Sequence, residues 1–359
     1  MKKILIITNH SYMLYRFRLD LILELSRENE VVLSMPFVGH EEDFIAHGIR
    51  CIETAVDRRG INIARDMVLL RTYKKLISKE APDMVITYSI KPNIYAGLVC
   101  TKLGVPYCAN IQGLGTAFQK KGLSAFVTYL YKAALGRAKV VFFENESNAR
   151  EFRERKIAYD KQKVLRGAGV NLSKYCFKPY PENEKVHFLY LGRIMREKGI
   201  DELFSAVKKL RANFGDSFVL DMVGFFEDGY EKQTAALEDE GIVKFHGFQH
   251  DPIPYYEACD CVVLPSYHEG MSNVLLEAAA TGRPLITTDV PGCREAVVSD
   301  ISGILCEKGN SESLYEAMCR FMAMSRRERA EMGTMSRKRI EKEFSREDVV
   351  RETVESIFA

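Results

Sequence analysis

A chain of 359 residues is too long for one comfortable hydrophobic core, so two domains are expected. Nine scattered cysteines without a C-x-x-C pair exclude a disulfide framework and a thiolate metal cluster, and no run approaches the roughly 18 apolar residues of a spanning helix. Net charge is only +2, yet residues 1–175 hold 28 Lys/Arg against 17 Asp/Glu and residues 176–359 hold 23 against 32, so the first half suits something anionic: a nucleic acid, an anionic membrane surface or a phosphorylated substrate.

The opening Met-Lys-Lys-Ile-Leu-Ile-Ile reads as a first buried strand, 3–8, because its apolar run is too short for a signal peptide and ends at Asn9, His10 and Ser11. Helical spacing follows at 19–26. Then come 31–35, 51–56, the long amphipathic 61–77, 84–88, 93–103, 107–111, 125–135, 140–143 and 163–166. Short apolar strands alternating with longer helices indicate parallel sheets covered on both faces. The polar stretch 171–185, with Pro179 and Pro181, breaks the rhythm and is expected to contain a linker at 173–182. Alternation resumes through 187–191, 201–210, 218–223, 243–245, 261–264, 273–280 and 285–288, and ends in charged helical segments at 311–324, 325–344 and 346–358. The expected fold is α/β: two tandem Rossmann-like doubly wound domains, 1–172 and 183–345, with an interdomain cleft. Ligands of such sheets bind beyond the carboxyl ends of the strands.

The most specific segment is 266–277, Ser-Tyr-His-Glu-Gly-Met-Ser-Asn-Val-Leu-Leu-Glu. Glu269 lies just before a helix start and Glu277 just over a turn inside it. The free amides at Gly270, Met271, Ser272 and Asn273 suit an anion or a sugar hydroxyl, and Gly270 lets a ligand approach the backbone. Two solvated glutamates at this spacing are common; the strand, Pro265-Ser266, Glu269-Gly270 and the small-residue tail make the whole specific. In 191–199, Gly192 and Gly199 bracket Arg193, Arg196 and Lys198, a guanidinium fork and a point charge fit for a diphosphate. In 243–249, His246, Gly247 and Phe248 follow a strand where a base could stack, though a plain turn fits equally well. The informative loops of the first half are 9–18, 89–93 and 112–118. The last is Gly-rich but lacks the Lys-Ser/Thr of a P-loop, and the first strand is not followed by G-x-G-x-x-G. No D-x-D triplet occurs, so no metal ion and no cofactor are expected.

On these residues the chain resembles glycosyltransferase family 4, the retaining GT-B enzymes, over essentially its whole length and most strongly over 192–305. Glu269 and Glu277 match that family's E-x7-E motif, Arg193 and Lys198 its diphosphate-binding pair, and 245–248 its base-holding segment. The resemblance implies catalytic roles for Glu269, Arg193 and Lys198. It implies donor binding by Glu277, Gly270, Met271, Ser272, Asn273, Gly192, His246, Gly247 and Phe248. It also implies that a terminal helix at 346–359 completes the first domain. Residues 15–18, 112–115, 145–148 and 169–171 are similar to the branch that extends undecaprenyl-diphosphate-linked sugars, including α-N-acetylgalactosaminyltransferases. The implied donor is a UDP-sugar carrying a HexNAc or hexose, and the implied acceptor a polyprenyl-diphosphate saccharide bound by the first domain. His10, Arg18, Lys91, Gln112, Gly113, Gly115 and Asn145 are the candidate acceptor residues. The chain departs from the family in having Asn9-His-Ser-Tyr-Met for the usual Gly-Gly loop, and Ser89-Ile-Lys91 where a histidine is common.

The basic first half can then meet anionic lipid, with the aromatic and basic stretch 118–139 as an interfacial segment. This fits a cytoplasmic protein, peripheral on the inner face of the cell membrane. Two rival readings remain at this point, a UDP-sugar 2-epimerase of related fold and a non-catalytic sugar-binding protein. No recognition motif supports a nucleic-acid partner.

Overall fold

The computed structural model describes residues 1–56, 63–113, 118 and 123–359, and divides into two compact units: residues 1–168 with 348–359, and residues 169–347. In the first unit, seven strands form one parallel sheet: β1 (Lys3–Ile7), β2 (Glu30–Met35), β3 (Arg50–Glu53), β4 (Met84–Tyr88), β5 (Tyr107–Ile111), β6 (Val140–Phe143) and β7 (Gln162–Val164). Their order is β3-β2-β1-β4-β5-β6-β7. Six helices precede the last: α1 (Ser11–Ser26), α2 (Glu41–Ala46), α3 (Ile63–Glu80), α4 (Ile90–Leu103), α5 (Leu123–Leu135) and α6 (Glu146–Glu154). The central strands read as near-continuous apolar runs because both sheet faces are covered. Leu5, Ile7 and Val85 pack into one core layer, and Ile4, Ile6 and Ile86 into the other.

The second unit repeats the plan with β8 (Val186–Leu191), β9 (Phe218–Val223), β10 (Val243–Phe245), β11 (Cys261–Leu264), β12 (Leu285–Thr288) and β13 (Gly303–Cys306), in the order β10-β9-β8-β11-β12-β13. Its helices are α7 (Ile200–Phe214), α8 (Glu231–Asp239), α9 (Ile253–Ala258), α10 (Asn273–Ala280), α11 (Ser311–Ala323) and α12 (Arg326–Glu343). α13 (Arg346–Phe358) follows, and its Ile357 is buried in the core layer of Ile4 and Ile6. The strand order reverses between β1 and β4 in one sheet and between β8 and β11 in the other. Those are the switch points where doubly wound sheets take ligands.

Several elements differ from expectation. The first helix begins at Ser11 rather than 19: its buried face is Ser11, Leu14, Arg18, Leu21, Ile22 and Leu25, and the charged Arg18 in that face masks the periodicity. Strand β13 and helices α2, α6, α8 and α9 are short elements with no clear pattern of their own in the sequence. Residues 173–182 pack on the second unit: Tyr175 lies in its core, and the fully buried Arg283 donates to the carbonyls of Lys178 and Pro179.

Candidate functional site

In the second unit the loops after β8 and β11 are stitched together. Lys198 Nζ ion-pairs with Glu269 Oε1, which also accepts the Ser266 hydroxyl at 2.7 Å. The Tyr267 amide donates to the Glu197 carbonyl at 2.8 Å. Gly199, at φ +73°, makes this approach possible, since a Cβ there would lie 2.1 Å from the Pro265 carbonyl oxygen. Arg193, half-exposed, pairs with Glu227 at 2.6 Å, and its carbonyl accepts the buried Tyr190 hydroxyl at 2.6 Å. Burial, reinforced by the Glu269 charge, pushes the Tyr190 phenol far up, so it stays a neutral donor.

Ser272 caps α10 by accepting from the Leu275 amide, with Met271 buried beside it. Asn273 Oδ1, buried at the helix start, has no hydrogen-bond partner among the described residues. Glu277 is buried inside α10 and accepts the Tyr256 hydroxyl at 3.0 Å. Burial, together with the nearby Glu269 charge, pushes the Cys293 thiol well up, so this neighbour of the pair stays protonated. Burial also holds the His268 imidazole below its ordinary value.

Beside β10, His246 Nε2 and His187 Nδ1 contact the two oxygens of Asp221 at 2.7 and 2.8 Å. Burial pulls the Asp221 carboxyl up, but the hydrogen bonds from both histidines outweigh it and leave the carboxyl low; the same bond raises His187 against its burial. The Gly247 carbonyl accepts the Gly224 amide at 2.9 Å, and past Gly247 the rings of Phe248 and Phe225, each about half exposed, lie 6.2 Å apart.

In the first unit a cavity of about 330 Å³ opens at the ends of β1, β4 and β5, lined by Asn9, Ser89, Ile90, Lys91, Asn93, Asn110, Ile111, Gln112, Gly113 and Tyr131. It brings together three of the expected acceptor residues, Lys91, Gln112 and Gly113. Arg18, Asn145 and His10 do not line it. Arg18 is buried, its guanidinium bonded to Glu144 at 2.7 Å and set over the Tyr88 ring. Asn145 is buried as the cap of α6, accepting from the Asn148 amide. His10 precedes α1, its ring 6.2 Å from Tyr12. Gly115, Lys120 and Lys121 lie outside the described residues.

Motif reading gives Ser266 no role and misses Tyr190, Tyr256 and Asp221; the partners of these four are 3 to 34 residues away in the chain and carry no spacing signal. It names Ser89 but not its backbone, a non-glycine residue at φ 75°, ψ 158° at the end of β4. Such conformations gather at functional sites.

Two doubly wound sheets, each with its polar loops at the switch point, place the chain in the class of tandem Rossmann-like α/β proteins with the GT-B fold. Residues 175–339 match the family described as glycosyl transferases group 1, and residues 3–145 the family described as glycosyl transferase 4-like. The chain belongs to these glycosyltransferases and is an enzyme of that kind. It is 27% identical to the N,N'-diacetylbacillosaminyl-diphospho-undecaprenol alpha-1,3-N-acetylgalactosaminyltransferase of Campylobacter jejuni, over 84% of this chain and 85% of that one. It is 29% identical to the capsular polysaccharide biosynthesis glycosyltransferase CapM of Staphylococcus aureus, over 84% of this chain and 83% of that one. The crystal structure of Anabaena Alr3699/HepE in complex with UDP superimposes with a TM-score of 0.82 at 16% identity, covering 99% of both chains. Among the described residues no helix is long and apolar enough to cross a membrane.

Proposed function

We propose that this glycosyltransferase moves a HexNAc or hexose from a UDP-sugar to a polyprenyl-diphosphate-linked saccharide during assembly of a surface polysaccharide or glycan, with retention and without a metal ion. The observation that carries the reading is the Lys198–Glu269 pair at the switch point of the second sheet, beside the start of α10. In this reading Arg193 and Lys198 hold the diphosphate and stabilise its charge as it leaves. The 245–248 segment receives the base, and Glu277, oriented by Tyr256, the ribose. Glu269 and the amides of Gly270–Asn273 hold the donor sugar. The departing diphosphate oxygen takes the acceptor proton on the face where the new bond forms, so the protein contributes chiefly positioning and electrostatics. Support for the acceptor comes from the Campylobacter relative, whose name gives a diphospho-undecaprenol saccharide as its substrate.

The test is a donor screen by mass spectrometry, with UDP-, GDP- and ADP-sugars, a short-chain polyprenyl-diphosphate disaccharide and EDTA. A product one sugar heavier from a UDP-sugar supports the reading. Epimerised donor without transfer, or binding without reaction, overturns it. The exposed face of α5, with Phe126, Tyr129 and Lys132, is the proposed contact with an anionic membrane. Phe126→Asp with Tyr129→Asp is expected to abolish flotation with anionic liposomes at low salt. Failure of the unaltered protein to float removes the membrane contact.

A further inference from the structure

The cavity of the first unit looks suited to an anion, because Lys91 lines it and the unit is basic. Its electrostatics say otherwise. Lys91 Nζ lies 2.9 Å from Asp66 Oδ1 on α3, and both side chains are largely buried. Asp66 also accepts the Tyr95 hydroxyl, which burial and that carboxylate keep protonated. No other charged side chain lines the cavity among the described residues. A phosphate or carboxylate entering it would meet the uncapped start of α4 at Ser89–Lys91 but no free cation among the described residues, and taking Lys91 would strand the buried Asp66 carboxylate, which is costly.

The rest of the lining suits hydroxyl groups. Asn9 offers an amide donor and Asn110 and Gln112 carbonyl acceptors, the mixed pattern that a sugar hydroxyl, itself donor and acceptor, requires, while the buried Asn93 is engaged with Thr87 and Asn110. Their positions are fixed. Thr87 Oγ1 donates to Asn93 Oδ1 at 2.7 Å, Asn93 Nδ2 to the Asn110 carbonyl at 2.8 Å, and Asn110 Nδ2 to the Thr87 carbonyl at 3.2 Å. Ser89, held in a backbone region normally left to glycine, donates to Asn9 Oδ1 at 2.7 Å. Among the described residues this leaves Asn9 Nδ2 and Asn110 Oδ1 without protein partners. At about 330 Å³ the cavity is at the small end of ligand pockets, the scale of a sugar ring.

Resting on the reading of the chain as an acceptor-extending glycosyltransferase, we infer that this cavity receives an uncharged sugar ring of the acceptor, and that Asp66 sets that preference by neutralising Lys91. The acceptor's diphosphate and acidic sugars are excluded from it.

The test compares kcat/KM of the full-length protein for two short-chain polyprenyl-diphosphate disaccharides, one ending in a hexose and the other in the matching hexuronate. The donor is the one the screen identifies. The unaltered protein is expected to favour the hexose by about tenfold or more. Asp66→Asn, which keeps the shape and frees the Lys91 charge, narrows that preference at least threefold, and Lys91→Met widens it, opposite shifts that a merely structural role would not produce. Asn9→Ala raises KM for the hexose acceptor more than it lowers kcat. Equal use of both acceptors, preference for the uronate, or a preference that neither charge variant alters overturns this inference alone. Absence of transfer to any polyprenyl-diphosphate acceptor overturns the functional reading and this inference with it.

Discussion

Lys198 and Glu269 form an ion pair between the loops after β8 and β11, the strands on either side of the point where the second sheet reverses its order. The pair puts a carboxylate and an ammonium at one spot on a rigid frame, with the amides of α10 beside them. Glu269→Gln keeps the shape and removes the charge. It is expected to cut turnover by about 10²–10³-fold while changing UDP affinity far less, as measured by steady-state kinetics and calorimetry. Lys198→Met should weaken both, because the diphosphate contact goes as well. An unchanged rate for Glu269→Gln removes that residue from the chemistry.

Gly292 governs how close the Glu269 loop comes to the strand-end loop after β12. At φ +84°, a Cβ on it would sit 2.6 Å from the Glu269 carbonyl oxygen and 2.7 Å from that of Gly270. Its own carbonyl accepts the Ser272 amide at 2.8 Å, fixing the residue that caps α10. Gly292→Ala must therefore displace the segment that carries Glu269. We expect a stability loss of about 1–3 kcal/mol, seen in thermal melts, and a fall in turnover beyond what the melts explain.

Arg283 is fully buried, and among the described residues no carboxylate pairs with its guanidinium. It is held by the carbonyls of Tyr256, Glu257, Lys178 and Pro179, with Nε to Tyr256 at 2.7 Å. Burial lowers its pKa, yet it remains a cation because its ordinary value is so high. Only the planar guanidinium fork reaches carbonyls in this many directions. Arg283→Lys is expected to destabilise the second unit by about 2–4 kcal/mol and to speed proteolysis at 173–182. A melt equal to that of the unaltered chain would show that the fork is dispensable.

The alternation of apolar strands and amphipathic helices was legible in the sequence because both sheets are parallel and buried, and such strands announce themselves by composition. So were the Glu269 and Lys198 segments, whose residues sit next to strand ends in the chain. What stayed hidden depends on partners distant in sequence. Arg18 looks like a ligand-binding cation until Glu144, 126 positions on, is placed against it. Lys91 looks free until α3 brings up Asp66. Residues 173–182 have a linker's composition, and what ties them down, the buried Arg283 among it, lies about a hundred residues later. The backbone of Ser89 has no sequence signature at all, since nothing in Tyr88-Ser89-Ile90 calls for a positive φ.

The His187–Asp221–His246 cluster makes stability depend on pH, with a sign set by the two resolved shifts. His187 is raised above its ordinary 6.5, so its contribution is complete below that value and is lost as pH rises through its folded-state pKa. Asp221 lies below its ordinary 3.8, so its contribution is complete above that value and is lost as pH falls through its folded-state pKa. The two overlap between pH 3.8 and 6.5. The groups facing His187 are Asp221 and Asp260, which raise it, and Lys244, which opposes them, so the carboxylates dominate. Melting temperatures of the unaltered chain and His187→Gln, taken from about pH 5 to about pH 9, should differ most at the acidic end and converge toward the alkaline end. Asp221→Asn should also loosen His246 and with it the segment proposed to hold the base, raising the Kd for UDP. A melting difference independent of pH would mean that the His187 proton is not linked to folding, and His187 would then be only a neutral hydrogen-bond donor to Asp221.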